Sequence, residues 1–74
     1  MSVEKLRRVL WRLRSTKPGK NTFTNAELER SIMYECGTSY QTRDRNRAAL
    51  KKLQWIRSKT RNYVILTGKD LTES

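Results

Sequence analysis

The residues of this chain that could do chemistry are its positive charges, and they are unevenly placed. The 74-residue sequence carries 17 Lys and Arg against seven Asp and Glu, a net charge of +10. Residues 41–61 hold eight basic residues against Asp44, and residues 1–20 hold seven against Glu4. Attraction to a polyanion and counterion release both grow with the number of phosphates neutralised. The charges therefore predict a polyanionic partner.

The sequence lacks the residues of the usual catalytic and metal chemistry. It has no histidine and a single cysteine, Cys36, so it lacks the commonest metal ligand and cannot form an internal disulfide. No glycine-rich phosphate loop occurs among its three glycines. We therefore expect no enzyme, no cofactor and no metal. Cys36 is expected to be a small buried hydrophobic residue rather than a reactive thiol.

The length of the chain limits it to one small domain. A domain of this size buries only about 60% of its unfolded surface. No apolar run approaches the ~18 residues that a membrane span needs, and no stretch has the pattern of a signal peptide. We expect one domain over residues 1–68, a flexible tail over residues 69–74 and no membrane association.

Apolar residues at helical spacing predict a first helix. Its apolar stripe, at about 100° per residue, consists of Val3, Leu6, Val9, Leu10 and Leu13. Ser2 is the expected N-cap, and residues 15–19, which include Pro18 and Gly19, end the helix. Trp11 lies about 135° from the centre of the stripe. It either folds over a neighbouring strand or the tail, or it contacts a second copy in a homodimer.

A capping-box pattern marks the start of a second helix. In residues 24–27, Thr24 can cap the helix while Glu27 reaches back to the Thr24 amide. The helix is expected over residues 25–35, after a minimal strand at residues 22–23, and Gly37 ends it with a left-handed conformation.

A third helix follows, with its start at either Ser39 or Thr42 as the cap. Its expected core positions are Ala49, Leu50 and Leu53. The same face also contains Asn46, which either hydrogen-bonds the turn between the helices or indicates that the helix is tilted there.

Two short apolar runs around a basic turn predict a hairpin. Residues 55–58 and 63–67 are rich in aromatic and β-branched residues, and the turn over residues 57–62 contains three positive charges. Gly68 closes the second strand. Residues 69–74 offer little to bury and are expected to fray.

This order of elements resembles the winged helix-turn-helix family. The carrying residues are 24–28 at the opening of helix two, Gly37 in the turn, 49–53 before Ile56, and 63–67 as the returning wing strand. The resemblance covers residues 3–68. Two features depart from the family pattern: no glycine separates helix three from the wing, and Asn46 stands where an apolar residue is usual. The composition is also similar to that of compact regulators of archaea, their viruses and plasmids.

The resemblance implies an α+β fold of three helices with a C-terminal hairpin wing and a possible minimal strand before helix two. Helix three would enter the major groove, and the wing would grip backbone or minor groove. The expected base-reading residues are Gln41, Asp44, Arg45, Arg47 and Ala48. Asp44 either accepts from a cytosine or pairs with Arg47. The expected phosphate-binding residues are Thr24, Asn25, Lys51, Lys52, Arg57, Lys59 and Arg61.

The sequence thus predicts a sequence-specific double-stranded DNA-binding regulator, cytoplasmic and nucleoid-associated or DNA-bound, with no small-molecule effector. An RNA-binding or ribonucleoprotein module is the alternative, although most of the six aromatic residues are expected inside the core. A protein-interaction adaptor ranks last, because it has no need of charge concentrated on helix three and the wing.

Overall fold

The computed structural model describes residues 3–72 and has α+β architecture. Within that range, four helices accompany a small three-stranded antiparallel sheet. In chain order the elements are α1 (Val3–Thr16), β1 (Thr22–Thr24), α2 (Asn25–Cys36), α3 (Tyr40–Lys52), β2 (Ile56–Ser58), β3 (Tyr63–Leu66) and α4 (Lys69–Thr72). No helix in residues 3–72 is long and apolar enough to cross a lipid bilayer.

Helix α1 buries the apolar stripe that its spacing predicts. Leu6, Val9, Leu10 and Leu13 are all buried, whereas Val3 at the start of the helix is exposed. The expected cap at Ser2 lies outside the described residues. On the buried side, the Ser31 hydroxyl of α2 donates to the Val9 carbonyl oxygen (2.8 Å) and ties the two helices together.

Helix α2 begins with the predicted capping box. The Glu27 amide donates to Thr24 Oγ1 (3.1 Å), and the Thr24 amide donates to Glu27 Oε1 (3.0 Å). The helix ends at Cys36, one residue later than expected. Gly37 follows with φ 117° and ψ 166°, so its φ is positive, as predicted for a left-handed residue at the end of the helix. This backbone region is one that essentially only glycine occupies.

The β2–β3 hairpin lies beside β1 in the sheet. Strand β3 lies in the middle, paired antiparallel with β1 on one side and β2 on the other. Phe23 pairs with Val64 and Ile56 pairs with Leu66, and all four side chains are buried. Because paired residues share a sheet face, this face is the one that meets the helices. The minimal strand predicted before α2 is therefore present as β1.

Helix α3 passes into β2 through Gln54, where the sequence has no glycine. Gln54 adopts φ 62°, in the left-handed region that glycine visits most readily. Its amide donates to the Lys51 carbonyl oxygen (2.9 Å), and the Trp55 amide donates to that of Leu50 (3.1 Å). These two bonds form a Schellman motif. It turns the chain inward, and Trp55 is buried in the core.

The core contains one apolar cluster drawn from α1, α2, α3 and the sheet. Its largest fully buried side chains are Trp55 and Phe23. Leu50 is buried as predicted, whereas Ala49 and Leu53 are only partly buried and pack against the cluster.

The end of the described chain is packed, which corrects the expectation for residues 69–74. Residues 69–72 form the short helix α4, which is attached to the rest of the protein through the Asp70 side chain. Asp70 is only 5% exposed, and it accepts two hydrogen bonds from the guanidinium of Arg14 in α1 (2.6 and 2.9 Å). The hydrogen bond and charge of Asp70 raise the pKa of Arg14 despite its burial. Residues 73 and 74 lie outside the described range.

Candidate nucleic-acid interface

The outward face of α3 carries four of the five predicted base-reading side chains. The helix begins at Tyr40 with Ser39 in the cap position, in extended conformation and without a side-chain capping bond. The core positions of the helix face α1, α2 and the sheet, which leaves the opposite face in solvent. The exposed members of the predicted set are Gln41, Asp44, Arg45 and Ala48.

Asn46 belongs to the buried face of α3 and finds its partner within the same helix. Its Nδ2 donates to the carbonyl oxygen of Thr42, at 2.7 Å. The partner is therefore in the first turn of α3, not in the turn between helices that the sequence suggested. A bond to the carbonyl four residues earlier satisfies the buried amide group without any distant partner.

The tip of the β2–β3 hairpin lies beside the start of α2. We call residues 59–62 the hairpin turn. The Asn25 backbone amide donates to the Asn62 carbonyl oxygen, and Asn25 Nδ2 donates to that of Arg61, both at 2.9 Å. Within the hairpin, the amide of Lys59 donates to the Tyr63 carbonyl oxygen (3.0 Å). The position of the hairpin turn is therefore set by hydrogen bonds to α2.

Five of the predicted phosphate-binding residues are exposed and form no ion pair within residues 3–72: Lys51, Lys52, Arg57, Lys59 and Arg61. The first segment differs, because Arg12 pairs with Glu35, Arg14 with Asp70 and Lys17 with Glu27. Carboxylates thus neutralise part of the positive charge near α1. The charge at the end of α3 and along the hairpin is left uncompensated by ion pairs.

Arg47 differs from the other predicted base-reading residues, because it faces α2. Its side chain is 27% exposed. One terminal nitrogen donates to Asn25 Oδ1 (3.1 Å) and the other to Glu29 Oε1 (3.3 Å). The expected outward orientation is therefore wrong. Position 47 lies only about 60° from Leu50 around the helix, at the edge of the buried face.

Of the two alternatives for Asp44, the pair with Arg47 is not formed. The Asp44 carboxylate accepts instead from Nε of the adjacent Arg43, at 3.3 Å. Arg43 also lies 3.8 Å from Glu29 Oε2 and over the ring of Tyr40. Sequence reasoning missed Glu29 and Arg43. The available signal was the spacing of four between Arg43 and Arg47, which places both guanidiniums on one side of α3.

The predicted phosphate contacts at Thr24 and Asn25 stay predictions, but both side chains have partners inside the protein. Thr24 is occupied by the capping box, and Asn25 binds the hairpin turn and Arg47. A phosphate at either residue would have to share a group that already makes an intramolecular hydrogen bond.

The aromatic residues are distributed differently from the expectation that most lie inside. Among the six, Phe23 and Trp55 are buried. The other four are exposed: Trp11, Tyr34, Tyr40 and Tyr63. Trp11, at 68% exposed, is not covered by a strand or by the tail, so the expectation of such a cover is wrong. On α2, Tyr34 lies beneath the Arg12 guanidinium, 3.6 Å from the ring centre.

Cys36 and the acidic residues were compared with the requirements of a reactive thiol and of a metal site. Cys36 is half-buried against the core, and this burial raises the pKa of its thiol, which keeps it protonated and weakly nucleophilic. Within residues 3–72 no three His, Cys, Asp or Glu side chains are grouped so as to hold a metal ion.

Comparisons of the chain with protein-family models, with curated proteins and with solved structures found no match. The described residues form a small α+β protein in which a basic helix and a basic hairpin turn both border the start of α2.

The capping box at Thr24 makes a pH-dependent contribution to stability. The Thr24 backbone amide, followed by Lys17, holds the pKa of Glu27 below its ordinary value of 4.5. A carboxylate with a depressed folded pKa stabilises the fold above its unfolded pKa, and this stabilisation is lost as the pH falls through the folded pKa. Glu27→Gln should therefore lower the free energy of unfolding at neutral pH by roughly 0.3–1 kcal/mol. The difference from wild type should shrink below the ordinary pKa.

Urea unfolding at a series of pH values between neutral and strongly acidic measures this difference. Glu4→Gln on the exposed side of α1 is the control for removing one surface charge. A Glu27→Gln difference that stays constant across the acidic range contradicts the prediction.

Proposed function

We propose that the protein is a sequence-specific double-stranded DNA-binding protein, a transcriptional regulator of the winged helix-turn-helix class. In this proposal α3 reads the major groove and the β2–β3 hairpin is the wing that grips backbone or minor groove. The observation that carries the proposal is the role of Asn25, which contacts both the hairpin turn and Arg47 of α3. The two basic elements are thus neighbours, so one duplex can meet both of them. A DNA-bound protein of this kind would reside with the nucleoid in the cytoplasm.

The chemistry of the exposed α3 face suits base edges. Gln41 can bond adenine in a bidentate manner, Arg45 can do so with guanine, and Asp44 can accept from the cytosine amino group. Ala48 is small enough to approach a thymine methyl group. Arg47 is set apart from these four, because its guanidinium is already bound by Asn25 and Glu29.

The five unpaired basic residues suit phosphates. They would fix the register of the protein on DNA without reading its sequence. Because no carboxylate in residues 3–72 forms an ion pair with them, a phosphate need not displace an internal partner. Lys51 and Lys52 form the C-terminal end of α3, while Arg57, Lys59 and Arg61 lie on the hairpin.

The function is tested by selecting duplexes from a random pool and titrating the winner at two salt concentrations. With roughly six to eight phosphate contacts, affinity should fall ~10³-fold or more between about 50 and 200 mM salt. Weak, salt-insensitive binding to every duplex defeats the proposal. A palindromic winner would show that two copies bind together.

Two substitutions should separate base reading from phosphate binding. Arg45→Ala should remove about 1–3 kcal/mol of discrimination at one base position. Lys59→Ala should weaken binding to all sequences alike and reduce the slope of log affinity against log salt by about one. The matched control is Arg30→Ala, since exposed Arg30 lies beside Arg12 in the groove between α1 and α2. If Arg45→Ala and Arg30→Ala change base discrimination equally at every position of the DNA site, Arg45 does not read a base.

The exposed tyrosines give specific support to a second candidate, an RNA-binding module. Tyr40 begins α3 and Tyr63 begins β3, so both lie on the elements of the candidate interface. Exposed aromatic rings beside positive charge can stack on the bases of single-stranded loops. Competition between a duplex DNA pool and structured RNA separates the two functions, because only one pool should displace the other at equal concentration. No comparable observation favours a protein-interaction adaptor.

We also propose that Trp11 is a contact in a homodimer, since a large exposed aromatic side chain suits an isologous interface. Sedimentation of wild type and Trp11→Ala at matched concentrations should then show a dimer that dissociates on substitution. If both sediment as monomers, with and without the selected duplex, Trp11 has no such role.

A further inference from the structure

Asn25 uses both ends of its side-chain amide to connect two elements. Its Oδ1 accepts from a terminal nitrogen of Arg47 in α3 (3.1 Å), and its Nδ2 donates to the Arg61 carbonyl oxygen in the hairpin turn (2.9 Å). The backbone amide of the same residue donates to the Asn62 carbonyl oxygen (2.9 Å). A continuous chain of hydrogen bonds therefore runs from the middle of α3 to the tip of the hairpin.

Arg47 determines which way the Asn25 amide points. A guanidinium is only a donor, so it selects the oxygen end of the amide, and the carbonyl of Arg61 selects the nitrogen end. Reversing the amide would place donor against donor and acceptor against acceptor. Without Arg47, the oxygen end has no such partner and the amide loses this constraint. Arg47 thus acts on the hairpin turn although no hydrogen bond joins them directly within the described residues.

Glu29 fixes the other end of this chain. Its Oε1 accepts from the second terminal nitrogen of Arg47 (3.3 Å), so the guanidinium is held by two residues of α2, Glu29 and Asn25. The hairpin turn itself consists of exposed residues only, so apolar burial does not hold it. Hydrogen bonds to Asn25 supply the attachment that packing does not.

We propose that Arg47 is a positioning residue that couples α3 to the hairpin turn through Asn25, so that both basic elements meet a polyanion as one rigid unit. This differs from the base-reading role that the sequence predicted for Arg47. The consequence for DNA rests on the proposed function, whereas the coupling is a property of the free protein. A hairpin turn that is not held in place must be ordered at binding, which lowers affinity for every duplex rather than for one base.

Hydrogen exchange of the free protein tests the coupling. The reporting amides are Asn25, bonded to the hairpin turn, and Lys59 within it, with Leu66 as reference because its amide is bonded to Asn21 at the other end of the sheet. In Arg47→Ala, exchange at both reporters should rise roughly two- to tenfold relative to Leu66, the range that loss of one hydrogen bond gives.

Arg12→Ala is the matched control. Arg12 is also an arginine held by a glutamate of α2 through two hydrogen bonds (2.9 and 3.1 Å), so the same charge and the same kind of contact are removed. It should leave the ratio of reporter to reference exchange unchanged. A second variant, Asn25→Asp, keeps an acceptor for Arg47 but loses the donor to the Arg61 carbonyl oxygen. It should increase the exchange rate of the Lys59 amide, as Arg47→Ala does.

Two exchange results overturn the coupling. In one, the exchange rates of the two reporter amides relative to Leu66 are the same in Arg47→Ala as in Arg12→Ala. In the other, exchange at the Leu66 amide of Arg47→Ala increases as much as exchange at the reporter amides, which shows that Arg47 only stabilises the whole fold. Both results stand whether or not the protein binds DNA, so failure of the coupling is distinct from failure of the proposed function.

A binding arm tests the consequence for DNA. Relative to Arg12→Ala, Arg47→Ala should lower affinity for the selected duplex and for its single-base variants by the same factor, roughly two- to tenfold. Lys59→Ala should also cost less affinity in the Arg47→Ala background than in wild type, because the turn is no longer positioned. Loss of discrimination at a single base pair would overturn the positioning role and identify Arg47 as a direct reader.

Discussion

Burial of Trp55 is the constraint on which both α3 and the hairpin depend. Trp55 is the third residue after the end of α3, and its amide still donates to the Leu50 carbonyl oxygen of that helix. Its own carbonyl oxygen accepts from the Thr67 amide just beyond β3 (3.0 Å). The backbone of one residue with a buried side chain is therefore bonded both to the end of α3 and to the residue that follows β3. The left-handed Gln54 makes this possible, because it reverses the chain within a single residue.

Acidic residues act mainly at the joints between elements. Glu35 and Asp70 tie α1 to α2 and α4, Glu27 joins Lys17 to the start of α2, and Glu29 joins α2 to α3. Self-repulsion from a net charge of +10 works against a compact state in so small a chain. Placing the few carboxylates at joints relieves repulsion where packed elements meet. The basic residues of the hairpin and of the end of α3 form no ion pair with a carboxylate of residues 3–72.

Local chemistry predicted the elements of the fold, because each depends on residues close in sequence. The capping box at Thr24 and Glu27, the apolar stripe of α1 and the hairpin all follow from spacing and turn chemistry. The errors at Asp70 and Arg47 involve partners distant in sequence. Asp70 is buried because Arg14 reaches it, and Arg47 turns inward because Glu29 and Asn25 lie across the helix interface. A helical wheel shows that position 47 borders the core, but it contains no information on which residues of another helix contact that position.

The ion pair between Arg14 and Asp70 also sets how the two ends of the described chain are held. The partners are 56 positions apart, so closing this contact costs more chain entropy than closing the hairpin, whose strands are neighbours. Local helices and the hairpin can fold and unfold without this ion pair. The contact between α1 and α4, in contrast, forms only when Arg14 and Asp70 are paired. The last helix of the described chain is therefore secured less by its own four residues than by a long-range contact with the first.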